Sequence, residues 1–235
     1  MYEAVTPHPE GGSTSARFAS VASRYGFDGV VVLARGGGPP PTPSLATVRD
    51  RVGVDVVDGV EVVADDPGSA GGSVGNYRSK RTLVCVRGGT DALNRFAVEQ
   101  DRVDVLTRPF AGDGDVNHVV ARAAREHGVC VEFDLGPVLR ESGGTRVRHL
   151  RRLRKLAELV DHYDAPFVAS ATPPSHLGLR APRELRAVGE AVGLGAERVA
   201  TGLREWGRLA ERNRRRLDDS FISPGVERGR YEEER

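Results

Sequence analysis

The sequence predicts an α/β fold, a TIM-barrel-like β/α barrel of about seven parallel strands with helices around it. Three observations predict it. Short apolar runs of strand length alternate along the chain with segments of helical periodicity, and this alternation implies parallel strands joined by right-handed crossovers. About seven such units in 235 residues suit a closed barrel better than an open sheet. No break in composition marks a second domain, so residues 1–217 read as a single barrel and 218–235, poor in apolar residues, as a flexible C-terminal tail.

Each element follows from its own residues. Ser13, Thr14 and Ser15 offer N-caps for a helix that places Phe18, Val21, Ala22 and Tyr25 on one face and closes at Gly26. Residues 29–34 (GVVVLA) form a continuous apolar run, the pattern of a parallel strand buried on both faces. Residues 54–63 and 82–86 read as strands, and Thr90 caps a helix carrying Leu93, Phe96 and Ala97. Another strand spans 103–106. Asp115 caps a helix with Val119, Val120 and Ala123, which Gly128 stops, and 129–133 is the next strand. A long helix over 145–163 precedes a strand at 167–171. Pro182 stands where a helix begins with Leu185, Val188 and Val192 inward, and the last helix runs about 203–217. Two Gly/Pro-rich stretches, 35–43 (RGGGPPPTP) and 66–76 (DPGSAGGSVGN), read as loops.

Composition narrows the function classes. A chain this long buries roughly 70% of its unfolded surface, so it folds without disulfides or a structural metal. No apolar stretch approaches the roughly 18 residues of a membrane-spanning helix. The start, MYEAVTPHPEGG, lacks a charged-then-apolar signal pattern, so a cytoplasmic location is expected. Cys85 and Cys130 are too few for a disulfide framework or a four-cysteine zinc site, and both fall in apolar runs as buried thiols do. The formal net charge is only +1, which argues against a basic nucleic-acid binder over its whole surface.

That average hides a skew. Of 34 basic residues only Lys80 and Lys155 are lysine, and Ile222 is the single isoleucine, a pairing that reads first as a GC-rich genome. Residues 1–120 are net −3 and residues 121–235 net +4. Residues 140–155 (RESGGTRVRHLRRLRK) hold seven basic side chains and one acid, and 208–216 (RLAERNRRR) five and one. Such asymmetry predicts an anionic partner on one side of the molecule.

The motifs for small-molecule chemistry are missing. The histidines His8, His118, His127, His149, His162 and His176 form no H-x-H or H-E-x-x-H pair, and His8, where a barrel hydrolase would place a ligand, stands alone. No metal ligand is therefore assigned. There is no G-x-S-x-G elbow and no P-loop or dinucleotide fingerprint. Ser170, Ala171 and Thr172 close one strand, where barrel active sites lie. Glu132 and Asp134 point to one face of another and suit acid–base work, a divalent cation, or pairing with nearby arginines. No nucleophile, base and orienting group co-occur, so no catalytic residue is assigned.

The arginine-rich helix is the strongest local signal. Leu150, Leu153, Ala157 and Val160 recur at helical spacing as a core stripe. Arg148, Arg151, Arg152 and Lys155 recur at i, i+3, i+4 and i+7 opposite it, with no acid before Glu158 to pair with them. This stripe covers about 10 Å of helix, which favours RNA or DNA phosphates over a small anion. Arg180 and Arg183 flank Pro182 at a helix N-terminus, a seat for phosphate. The run 212–216 would extend the track. With 6% aromatics, base stacking is a minor contribution.

Leu135-Gly136-Pro137, the arginine-rich helix, Ser170-Ala171 and Arg180-Ala181-Pro182-Arg183-Glu184-Leu185 together resemble the TIM-barrel protein subunit of archaeal and eukaryotic ribonuclease P, its thirty-kilodalton subunit or component 3. Val103-Asp104-Val105-Leu106, Asn117-His118-Val119 and VGEAVGLGAERVA match in order, so the resemblance covers about 80–217 well and the first 80 residues by architecture. It implies a barrel like the polymerase-and-histidinol-phosphatase (PHP) metal hydrolases without their histidine ligands. It also implies that ribonuclease P RNA performs the cleavage that removes the 5′ leader of precursor tRNA. Mg2+ is then expected at the RNA active site of the holoenzyme, with no cofactor bound by the protein. The implied partners are that RNA, precursor tRNA through the holoenzyme, a small companion protein subunit and other ribonuclease P proteins, with no membrane. Carried over by position, the resemblance marks Arg95, His118, Arg146, Arg180 and Arg183 as RNA- or partner-binding, while Arg148, Arg151, Arg152 and Lys155 come from helix geometry. Arg78, Lys80 and Arg81 lie in a loop where family members vary. The alternatives are an autonomous PHP-type metal-dependent phosphoesterase and a regulatory module binding an anionic metabolite at Arg180 and Arg183.

Overall fold

Seven parallel strands, hydrogen-bonded in the order in which they occur along the chain, curl into a nearly closed barrel whose two edges are bridged by a helix. The computed structural model describes residues 1–35 and 44–217 in full, and the backbone of 221–223 and 226–227. The strands are β1 (Tyr2–Val5), β2 (Gly29–Arg35), β3 (Asp55–Val62), β4 (Leu83–Arg87), β5 (Val105–Thr107), β6 (Cys130–Asp134) and β7 (Phe167–Ser170). The helices are α1 (Ser15–Tyr25), α2 (Leu45–Val52), α3 (Pro67–Tyr77), α4 (Asp91–Val98), α5 (His118–His127), α6 (Gly136–Arg140), α7 (Gly143–Tyr163), α8 (Pro182–Ala191) and α9 (Ala196–Leu217). A short antiparallel pair, β8 (Phe221–Ser223) and β9 (Val226–Glu227), follows. The rest of the expected flexible tail, 218–235, and residues 36–43 of the first Gly/Pro-rich stretch lie outside the described residues.

Local chemistry sets the element ends. Thr14 accepts the Arg17 amide at the start of α1, and Gly26 closes it at φ 81°. Three expectations are corrected. The stretch 66–76 is not a loop: Asp66 accepts the Gly68 and Ser69 amides and Pro67 opens α3, which buries Ala70 and Val74. The cap of α5 is Asn117, whose side-chain oxygen accepts from the Val119 and Val120 amides, and not Asp115. Helix α9 begins at 196 and not near 203. Strand β1, which no apolar run marks, is the first strand of the sheet.

Strand parity divides the core. Outward side chains such as Val30, Val56, Val84, Leu106 and Phe133 pack under the helices. Inward ones, among them Val31, Leu33, Val57, Leu83, Cys85, Val105, Cys130 and Val168, form an apolar interior together with Trp206, Leu209 and Ala210 of α9. At the C-terminal ends of the strands the same inward parity continues into polar residues: Arg35, Glu61, Arg87, Thr107, Asp134 and Ser170. The interior is therefore oily at one end and charged at the mouth.

Helix α9 closes the gap between β7 and β1. Gly202 lies so close to β7 that a Cβ there would stand 2.5 Å from the Ala169 nitrogen. The Trp206 indole donates to the Ala169 carbonyl at 3.0 Å, satisfying an edge acceptor of β7. Across the same gap the Glu3 carboxyl accepts the Ala171 amide at 2.9 Å, standing in for a ladder bond that β1 does not make.

Candidate nucleic-acid interface

In a β/α barrel each helix starts at the C-terminal end of the strand before it, so helix N-termini collect around the mouth. His118 opens α5, Arg146 and Arg148 lie in the first two turns of α7, Arg95 lies in the second turn of α4, and Arg180 and Arg183 bracket the start of α8. The structure thus gathers six sequence-marked residues from four helices onto one rim. All six are exposed. Arg95 pairs with Glu99 at 2.7 Å, Arg148 donates to the Thr145 hydroxyl, and Arg180 to the carbonyl of Leu179. Arg146, Arg183 and His118, with Arg151 one turn further down α7, make no side-chain hydrogen bond or ion pair among the described residues.

The basic stripe of α7 is divided. Arg148 and Arg151 face outward. Arg152 is half-buried, donates to the Phe110 carbonyl at 3.1 Å and lies 5.8 Å from the centre of the Phe110 ring. Lys155 pairs with Asp115, an acid contributed by the β5–α5 connection. These two side chains tie α7 to its neighbour, and the acid that the helix sequence lacks comes from forty residues away.

The C-terminal basic cluster does not extend this track. Arg212 donates to Asp104 at 2.8 Å, Arg214 makes two bonds of 2.8 Å to Asp55, and Arg208 and Arg215 pair with Glu205 and Glu211 on their own helix. Asp55 opens β3 and Asp104 immediately precedes β5, so this cluster belongs to the opposite, N-terminal end of the barrel. Asp104 is buried and also accepts from Arg78 at 2.7 Å, from Asn213 at 2.7 Å and from the Val84 amide at 2.8 Å. Arg81 pairs with Asp58 at 2.8 Å, so Arg78 and Arg81 both hold the fold.

At the mouth, inside the rim, four carboxyls project from three strands. Glu61 accepts from Arg35 at 2.9 Å and from the Thr107 hydroxyl at 2.9 Å. Glu132 accepts from the Ser170 hydroxyl at 2.6 Å and from the Arg108 amide at 2.7 Å. Asp134 accepts from the Gly136 amide at 2.8 Å and the Thr172 hydroxyl at 2.9 Å. Glu3, at the seam, leaves its second oxygen without a partner. Burial pushes the Glu3 carboxyl up to about 8, and burial together with the Asp134 charge pushes Glu132 up as well. Sequence reasoning missed Glu3, Glu61, Arg35, Arg108 and Arg140. The available signal was a lone charged residue closing or interrupting an apolar run, as in GVVVLAR and GVEV.

This donor set does not suit a divalent cation. Both Glu132 oxygens already accept protein hydrogen bonds, and the guanidiniums of Arg35 and Arg108 stand beside Glu61. Among the described residues no three His, Cys, Asp or Glu side chains group as a metal site. His8 is exposed, and His176 contacts the Ser13 hydroxyl at 2.7 Å. The pairing of Glu132 and Asp134 is thus a network across β6, β7 and the β5–α5 connection. Both thiols, Cys85 and Cys130, are buried, and burial pushes each well above the ordinary range. Among the described residues no helix is long and apolar enough to cross a membrane.

Similarity to known proteins agrees with this geometry. The family model described as RNase P subunit p30 matches residues 1–218. Ribonuclease P protein component 3 of Halorubrum lacusprofundi is 59% identical over 240 residues, covering all of both chains. Its counterpart in Haloarcula marismortui is 55% identical over 226 residues, 96% of each chain. Among solved structures, a chain of archaeal ribonuclease P with mature tRNA superposes with a TM-score of 0.85 at 21% identity, covering all of both chains.

Proposed function

The chain belongs to the RNase P subunit p30 family, and from that membership we propose how it works: as a non-catalytic protein subunit that supports ribonuclease P RNA in endonucleolytic removal of the 5′ leader from precursor tRNA. The observation that carries this reading is the gathering of exposed basic side chains from four helices on the mouth rim, Arg146, Arg183 and His118 having no protein partner among the described residues. Folded RNA packs phosphates closely, and their repulsion opposes the active shape. Guanidiniums fixed on helix ends offset that repulsion without reading bases. The Mg2+ of the reaction would be held mainly by the RNA and would supply the activation of water for attack on the phosphodiester. The remaining surface serves a small companion protein subunit and other proteins of the holoenzyme, in the cytoplasm. The structural neighbour that contains mature tRNA supports the RNA partners.

Reconstitution across magnesium tests the reading. With cognate RNA and companion protein, adding this chain lowers the magnesium needed for precursor-tRNA cleavage, and the chain alone cleaves nothing. The pair Arg146→Glu and Arg183→Glu raises the magnesium requirement and flattens the salt dependence of assembly by about one unit of log–log slope for each phosphate left without its cation. Full activity at low magnesium with the chain omitted would refute the proposal.

A further inference from the structure

Inside the rim lies a cavity of about 350 Å³ at the C-terminal ends of the strands. That volume is within the ordinary range of small-ligand sites, roughly 300–1,000 Å³. Arg35, Arg108 and Arg140 line it, against apolar walls that include Phe110, Pro137 and Pro173. None of the rim residues marked from the sequence lines it, so it is a separate feature from the RNA-facing surface.

The cations here are under-satisfied. Arg35 uses only its Nε in the bond to Glu61. Arg108 approaches Glu61 no closer than 4.0 Å and its guanidinium makes no hydrogen bond among the described residues, although its side chain is only 23% exposed. Arg140 donates to the Ala171 carbonyl and weakly to Thr172. Behind them Arg87, half-buried, also lacks a partner among the described residues and feels the charges of Arg35 and Arg108. Three guanidiniums therefore line the cavity against two lining carboxyls, Asp134 and the rim acid Glu10, with Arg87 behind them. A half-buried guanidinium without an acceptor is costly to leave so. Backbone strain converges on the same place. Arg108 and Thr172 both sit at positive φ, 46° and 42°, although neither is glycine, and strain of this kind collects at ligand clamps.

We propose that the mouth cavity is a binding site for a phosphate monoester, whose oxygens are taken by the guanidiniums of Arg35, Arg108 and Arg140. A monoester offers several terminal oxygens to the guanidiniums that lack acceptors and leaves only one end of the ligand to accommodate, whereas a diester inside a strand must bring chain in and out past the proline walls. The site goes beyond the ribonucleoprotein role and does not rest on it. The same chemistry is offered by a free mononucleotide and by the 5′-phosphorylated end of an RNA.

Titration calorimetry on the full chain at physiological ionic strength tests it, with inorganic phosphate, AMP, adenosine and a trinucleotide RNA carrying either a 5′-phosphate or a 5′-hydroxyl. Phosphate and AMP bind and adenosine does not. Arg108→Gln weakens AMP at least tenfold, and Arg108→Lys, which keeps the charge and guards against loss of fold, weakens it by a smaller factor. Arg24→Gln, on the outside of α1, changes nothing. If the 5′-phosphorylated trinucleotide binds as tightly as AMP while the hydroxyl form does not, the ligand is an RNA end. If both trinucleotides are excluded, it is a free nucleotide. AMP binding no tighter than adenosine, or both Arg108 variants binding AMP like the wild type while folded, overturns the site.

Discussion

Asp104→Ala separates the two roles of arginine in this chain. The Asp104 carboxylate, 2% exposed, joins Arg78, Arg212, Asn213 and the Val84 amide through bonds of 2.7–2.8 Å. Its removal leaves the Arg78 guanidinium, only 16% exposed, without its counter-charge and with only backbone carbonyls such as Thr82 as acceptors, while Arg212 at 46% largely recovers water. Breaking such a buried pair costs about 3–5 kcal/mol, and one of the two cations here rehydrates, so about 4 kcal/mol is expected. For a domain of this size each kcal/mol moves the melting temperature by about 2–4 °C, giving a fall of about 8–16 °C. Asp104→Asn keeps one acceptor oxygen, and about half that fall is expected. Thermal unfolding measures both variants, beside RNA affinity at fixed salt and at a temperature where each is folded. Affinity stays at the wild-type value because Asp104 lies at the end of the barrel away from the rim. A melting temperature within about 2 °C of wild type refutes the clamp. A loss of RNA affinity as large as that of Arg146→Glu with Arg183→Glu refutes the division of labour between the two ends.

Glu3→Gln alters the pH dependence of stability. The folded carboxyl titrates near 8 against an ordinary 4.5. The folded state therefore keeps a proton that the unfolded chain gives up, so this contribution is complete below about pH 4.5 and is lost as pH rises toward 8. Melting curves of the variant should decline less between pH 5 and 8 than those of the wild type, and parallel curves exclude a protonated Glu3. Trp206→Phe removes the indole donor to the Ala169 carbonyl at the seam and should cost about 1–3 kcal/mol in urea unfolding. Gly202→Ala, whose Cβ would meet the Ala169 nitrogen at 2.5 Å, should cost a similar amount, about 1–3 kcal/mol. If both are neutral, α9 is not what closes the barrel.

What could be read from sequence follows the range of the interactions involved. Strands β2 to β7 announce themselves by mainly apolar runs, because parallel strands under helices are buried on both faces. Strand β1 does not, because Glu3 interrupts a four-residue run and its burial depends on the amide of Ala171, 168 positions away. Helix α3 hides behind four glycines, yet Asp66 and Pro67 are legible start signals that composition outweighs. The rim is legible because helix starts are local features and barrel topology alone sends them to one end. The run 208–216 misleads because its acids, Asp55 and Asp104, lie 159 and 108 positions from their partners, beyond any periodicity argument. The mouth arginines Arg35 and Arg108 are invisible for a related reason. One charge at the end of an apolar run has no pattern until the register sets Arg35 beside Glu61.

The position of an arginine along a β/α unit, and not the number of arginines, decides what it does here. At the strand starts, guanidiniums meet the aspartate that opens β3 and the one just before β5, and the pairs stitch the last helix under the barrel. At the helix starts, the neighbouring residues are exposed loop and helix ends, where Arg146 and Arg183 find no acid among the described residues. Between the two, hydroxyls and amides hold the mouth carboxyls in one arrangement, with Ser170 on Glu132 and Thr172 on Asp134 binding β6 to β7. A rim carried by so tightly linked a mouth keeps its charges at fixed spacing. Binding a folded RNA then orders only the arginine side chains, at about 0.5–1.5 kcal/mol each, and no backbone. A disordered basic tail of equal charge would add backbone ordering of about 1–2 kcal/mol per residue. On the proposed reading, the advantage of a near-neutral protein lies in where few cations are fixed, and the rest of the arginines are free to serve the fold.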